Sequence, residues 1–149
     1  MKRVQDFLKN HPVLALDSSI FIYHFEDHPR YAPLTEIIFS ALEKGTNKGV
    51  ASYLTMMEII TKPKTEGLLH VARDYEYYLT TFPNLAFYEM GLEVARKASD
   101  IRATERIKAP DAIQLATAII CGATAFLTND RIFERFKEID ILILDKLLK

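Results

Sequence analysis

The sequence predicts an α/β protein, a three-layer α/β/α sandwich around a central parallel sheet of about four to five strands. Three observations carry this expectation. Short continuous apolar runs, such as Val13-Leu14-Ala15-Leu16 and Ile141-Leu142-Ile143-Leu144, have the mark of strands buried on both faces. Stretches with helical apolar spacing separate these runs, and alternation of this kind implies a parallel sheet with helices on both sides. The 149 residues, 49% hydrophobic and 26% charged, are enough for one domain with a real core.

The elements follow in order. The run from Val13 to Leu16 is the first strand and ends at Asp17. From Pro33 to Lys44, Leu34, Ile37, Ile38, Ala41 and Leu42 fall at helical spacing, and Gly45 can close the helix. Gly49-Val50-Ala51-Ser52 reads as a second strand. Thr55-Met56-Met57-Glu58 then opens a helix, with Thr55 and Glu58 as a capping box, that Pro63 ends near Thr61. A helix is expected from Thr65 to Thr81, followed by Pro83, and a third strand from Asn84 to Tyr88. Leu92 to Ile107 places Val94, Ala95, Ala98 and Ile101 on successive helical turns. Pro110 stands before a helix from Asp111 to Cys121, which Gly122 ends. Ala125-Phe126-Leu127-Thr128 is a strand, Ile132 to Lys137 a short helix, and Ile141 to Leu144 the last strand.

Composition excludes several classes of function. No apolar run approaches the roughly 20 residues that span a membrane, and Met1 to Asp6 is too polar to read as a secretory signal. The single cysteine, Cys121, rules out an intramolecular disulfide framework and a cysteine-built zinc site; among Ile119, Ile120 and Ala123 it reads as a buried, inert thiol. These features suit the cytoplasm. With 19 basic and 20 acidic residues the chain is nearly neutral, which argues against bulk coating of nucleic acid. A local basic rim around an acidic site is still compatible with that balance.

Chemistry points to four acids. Ligand sites in open parallel sheets form at the carboxyl ends of the strands. Asp17 directly follows one strand, Asp130 follows another after Thr128-Asn129, and Glu58 lies just inside the helix after a third. Asp111 joins them only if its helix starts at the same edge. Taken singly, each of these residues reads first as a helix cap. Caps, however, can equally be Ser, Thr or Asn. Two carboxylates about 5 Å apart repel by roughly 3 kcal/mol at an effective dielectric near 20, and helix N-termini offset only part of this. A divalent cation removes the deficit, and oxygen ligands without His or Cys select Mg²⁺ or Mn²⁺.

The segments Leu16-Asp17-Ser18-Ser19-Ile20-Phe21-Ile22-Tyr23, Glu58 after Ser52-Tyr53-Leu54-Thr55, Pro110-Asp111-Ala112-Ile113-Gln114-Leu115-Ala116-Thr117-Ala118 and Thr128-Asn129-Asp130 resemble, in order and interval, the signatures of the PIN-domain family. The resemblance covers nearly the whole chain and is most specific around Pro110-Asp111; the compact size is most similar to the VapC-like toxins of toxin–antitoxin pairs. It implies that Asp17, Glu58, Asp111 and Asp130 form an acidic metal-binding and catalytic quartet. Ser19 would be the small polar position after the first acid, and Thr128 and Asn129 the polar pair that orients the last. The implied activity is endonucleolytic cleavage of RNA with Mg²⁺ or Mn²⁺. The implied partners are a second copy of the chain and a cognate antitoxin whose Arg or Lys enters the acidic pocket.

Other features read more plainly. His24 and His28, four apart, could bind zinc on a helix, but Pro29 follows at once and makes the segment a helix end. Tyr75, Tyr77 and Tyr78 read as core or dimer surface before they read as a base-stacking platform. Arg102, Arg106, Lys108 and Arg131 lie near Asp111 or Asp130 in sequence and are candidates for phosphate contact. A phosphoacceptor receiver domain also gathers acids at strand ends, but it needs an acidic pair after the first strand, where this chain has Ser18-Ser19. A PIN-like scaffold without catalysis is at odds with the intact quartet; an RNA-processing nuclease that is not a toxin fits the same residues.

Overall fold

Five strands pair in parallel in the order β3-β2-β1-β4-β5, where β1 is Val13–Leu16, β2 Lys48–Ser52, β3 Leu85–Tyr88, β4 Ala125–Thr128 and β5 Asp140–Ile143. The computed structural model describes residues 2–148. Met1, the first residue of the polar N-terminal segment, and Lys149 lie outside the described residues. The helices are α1 (Lys2–Asn10), α2 (Ser18–Phe25), α3 (Ala32–Lys44), α4 (Tyr53–Thr65), α5 (Leu69–Thr81), α6 (Leu92–Thr104) and α7 (Ala109–Ile120). Short 3₁₀ turns follow β4 and β5.

Alternating side chains along the sheet feed two separate cores, which makes the sandwich three-layered as the alternation predicts. Leu14, Leu16, Ala51, Ala125 and Leu127 point to one face, against Val4, Leu8, Phe21, Ile38, Ile59 and Leu79 of α1 to α5. Ala15, Val50 and Phe126 point to the other, against Val94, Ile101, Leu115 and Ala116 of α6 and α7. Every residue of β4 is buried, whereas the edge strand β3 is only half covered.

The chain departs from the expected elements in several places: α6 ends at Thr104 rather than Ile107, and the short helix expected from Ile132 to Lys137 is a 3₁₀ turn over Arg131–Arg135. Helix α1 buries only Val4 and Leu8, too sparse a stripe to announce itself. Helix α2 runs between the Asp17 cap and the helix end expected at His24–His28, although Ile20-Phe21-Ile22-Tyr23 is apolar all round and shows no helical period. Helix α4 runs through Pro63 to Thr65, because a proline in the last turn removes one backbone bond without breaking those before it. It ends at Gly67, whose φ of +78° permits the Leu68 N–H to reach the Pro63 carbonyl at 2.8 Å, so the expected helix from Thr65 is shortened to start at Leu69.

The cap of α4 also shifts. Ser52, at the end of β2, accepts the Leu54 N–H at 3.1 Å and is the N-cap. Thr55 therefore lies inside the helix, fully buried, with its hydroxyl oxygen unpartnered. The expected Thr55–Glu58 capping box does not exist. Glu58 stands one turn deeper and its carboxylate is not occupied with capping.

The secondary candidates resolve into packing. His24 stacks on Phe39 at 4.2 Å and His28 on Tyr31 at 4.8 Å, with α2 ending before His28. Tyr75 stacks on Phe25 at 4.4 Å and Tyr78 meets the same ring edge-on, so of the three tyrosines only Tyr77, 72% exposed, offers an aromatic surface. Cys121 caps α7, half-buried rather than buried, and burial raises its thiol pKa, which keeps it inert. No described helix is long and apolar enough to cross a membrane.

Candidate active site at the carboxyl edge

The strand order reverses direction at β1, because the chain adds β2 and β3 on one side and then returns to add β4 and β5 on the other. Crevices form at such switch points, at the carboxyl ends of the strands. Asp17 leaves β1 there, its N–H still donating to the Leu127 carbonyl of β4 at 3.0 Å. It caps α2 and is only 8% exposed. One carboxylate oxygen accepts the Ser18 N–H at 2.6 Å and the Ser18 hydroxyl at 3.2 Å. The other accepts the Thr128 hydroxyl at 2.6 Å and, at the long limit of 3.4 Å, the Ser19 hydroxyl.

Thr128, fully buried, joins the two strand ends. While its hydroxyl donates to Asp17, its oxygen accepts the Asp130 N–H at 3.0 Å. Asp130 in turn caps the following 3₁₀ turn by accepting the Ile132 N–H at 3.0 Å. Asn129 faces away from the acids: its amide donates to the Tyr23 hydroxyl at 3.1 Å, and its oxygen accepts the Asp145 N–H at 2.9 Å. It holds the loop that carries Asp130 and touches no carboxylate of the four. Ser18 is the hydroxyl that sequence reasoning missed. It is better placed on Asp17 than Ser19 is.

Helix α7 does start at this edge. Asp111 lies in its first turn, half-buried, two residues after Ala109. Glu58 approaches from α4, where it accepts the Gln114 amide N–H at 2.7 Å. The four acids are electrostatic neighbours. Burial raises the Asp17 pKa above its ordinary 3.8, and the Asp130 charge adds to the rise, while bonds from Thr128 and Ser18 counter it. Burial likewise raises Asp111, as do the charges of Asp130 and Asp17, against a lowering by Lys108. Glu58 is raised by burial and by the Asp17 and Asp111 charges, with Ser18 and Gln114 opposing. Proximity of like charge and loss of water thus act together on one site.

The carboxylates share an edge without closing into a cage. Among the described residues, no three His, Cys, Asp or Glu side chains stand as a ready cation-binding group. The donor set still fits a hard divalent ion, being all oxygen and carrying negative charge that these surroundings disfavour. Glu58 and Asp111 are half-buried, so solvent still reaches the edge on which they stand. Beside Asp111, Arg102, Arg106, Ile107 and Lys108 line an open cleft of about 450 Å³. This is a local basic rim on a chain of net charge −1. Arg102 is fixed in it by donating from Nε to the Ile107 carbonyl at 3.3 Å.

A search among curated proteins returns no match. Solved structures do match: VapBC2 from Rickettsia felis, bound to a DNA fragment from its promoter, superposes with a TM-score of 0.71 at 16% identity, covering 87% of this chain and 97% of that one. DNA-bound VapBC from Salmonella typhimurium gives 0.69 at 19% identity, covering 87% and 96%. Mycobacterium tuberculosis VapC20, a toxin that cleaves the sarcin–ricin loop, gives 0.63 at 11% identity, covering 85% and 98%. At such identities the likeness establishes the fold. The PIN-domain model itself matches residues 14–139, from β1 to the threshold of β5, and the chain belongs to the PIN-domain family.

Proposed function

We propose that the protein is a metal-dependent endoribonuclease that hydrolyses RNA phosphodiester bonds and serves as the toxin of a type II toxin–antitoxin pair. The observation that carries this reading is the meeting of Asp17, Glu58, Asp111 and Asp130 at one sheet edge, with three of them held above their ordinary pKa by burial and by one another. Mg²⁺ or Mn²⁺, when bound, supplies a water of lowered pKa and polarises the scissile phosphate. Asp17 and Asp111 would hold such an ion. The hydroxyls of Ser18 and Thr128 orient the Asp17 carboxylate. Glu58 and Asp130 would complete the negative charge around the ion, and either would serve as the base that takes a proton from the attacking water. Arg102, Arg106 and Lys108 receive flanking phosphates.

The solved neighbours in Rickettsia felis and Salmonella typhimurium are toxin–antitoxin complexes, and VapC20 is an RNA-cleaving toxin. An antitoxin that places Arg or Lys among the four acids would neutralise the same charge the cation does. A homodimer completes the assembly. The test is direct. Purified protein should cut single-stranded or loop RNA in Mg²⁺ or Mn²⁺ and stop on addition of EDTA. Cleavage that persists in EDTA would overturn the metal-dependent reading.

A further inference from the structure

Gln114 is a poor core residue. It is only 5% exposed, lies on α7 between Ile113 and Leu115, and its side-chain oxygen has no hydrogen-bond partner. A leucine would fill the same space without leaving a buried acceptor unsatisfied. Packing therefore does not account for a glutamine here. Its one side-chain bond does: the amide donates to Glu58 Oε1 at 2.7 Å across the contact between α4 and α7.

Glu58 needs such a donor. It is a long side chain, half-exposed, and both Asp17 and Asp111 repel it. Left to itself it would swing toward solvent, where its charge is hydrated and its rotamers are free. Gln114 lies three residues after Asp111, hence on the same helical face and one turn deeper. One helix thus carries both an acid of the site and the amide that turns another acid toward it. We propose that Gln114 is a positioning residue, holding the Glu58 carboxylate toward Asp17 and Asp111. This rests on the metal-nuclease reading and assigns the cation site a supporting residue; outer partners of this kind typically change affinity or activity by about 10–100-fold.

The experiment is a double-mutant cycle of Gln114→Leu and Glu58→Gln, read by Mn²⁺ calorimetry, RNA cleavage and thermal melting. Gln114→Leu should weaken Mn²⁺ about ten-fold and lower kcat about ten-fold. KM should be nearly unchanged and the melting temperature no lower than that of the wild type. In the Glu58→Gln background the same change should have no further effect on Mn²⁺ or kcat, because the group it positions has already lost its charge. Equal losses in both backgrounds, or a fall in melting temperature with unaltered Mn²⁺ affinity and kcat, would make Gln114 a tie between helices and overturn the proposal. A wild-type chain that binds no Mn²⁺ and cuts no RNA would instead overturn the nuclease reading on which it stands.

Discussion

Asp17→Asn is expected to abolish most RNA cleavage while leaving a folded, more heat-stable protein. Asparagine keeps an oxygen to accept the Ser18 N–H, so the cap of α2 survives. It lacks the charge that holds a divalent ion. A metal nuclease draws several kcal/mol of transition-state stabilisation from such an ion, so under the proposed mechanism the rate should fall by at least about a hundred-fold. The stability gain follows from linkage. Burial first, then the Asp130 charge, raises Asp17 in the fold above its unfolded value near 3.8. The folded chain therefore holds the proton more tightly than the unfolded one. The associated stability is fully present below the unfolded pKa and is lost as pH rises through the folded pKa. Metal-free wild type should accordingly melt lower at pH 7 than that contribution allows in mild acid, and the variant should lack this loss. Thermal melting across pH in EDTA checks the sign. A melting temperature for Asp17→Asn below that of the wild type at pH 7 would show that its hydrogen bonds matter more than its charge.

Glu58→Gln is the second large effect. Glutamine keeps an oxygen for the Gln114 amide, so the contact between α4 and α7 remains. It supplies no negative charge to a cation and no base to a water. Cleavage should fall at least ten-fold, with a melting temperature equal to or above that of the wild type, since burial and the charges of Asp17 and Asp111 disfavour the ionised form. Ser52→Ala should behave in the opposite way. It removes the cap of α4, costs about 0.5–2 kcal/mol of stability, and spares the chemistry at temperatures where the protein stays folded. Measured side by side, the pair separates charge from capping. A fully active Glu58→Gln enzyme would leave three acids to carry the reaction.

Much of this architecture was legible in the chain. Val13–Leu16 and Ala125–Thr128 read as strands because both of their faces are buried and their runs are unbroken. The acids after them read as a site because strand ends in a parallel sheet gather at one edge. Asp111 was conditional, and the start of α7 at that edge satisfied the condition. What failed were local signals with two meanings. Thr55 with Glu58 has the spacing of a capping box, yet the earlier Ser52 takes the cap and leaves Thr55 buried. Pro63 marks a helix end in most contexts, but in a final turn its missing N–H matters little. Gly67, the true stop, was passed over inside a longer helical pattern. Gln114 could not be read at all, since its meaning depends on Glu58, 56 positions away in sequence.

Anomalous diffraction from a crystal soaked in Mn²⁺ asks whether these carboxylates bind divalent metal, be it one ion or two. An anomalous peak is expected at the carboxyl edge, with oxygens of Asp17 and Asp111 within about 2–2.6 Å, the range of hard-cation coordination. Glu58 or Asp130 should reach the ion directly or through one water, and the peak should vanish in the Asp17→Asn protein. Absence of a peak at that edge in the wild-type protein, or a peak elsewhere on the molecule that survives Asp17→Asn, would contradict it.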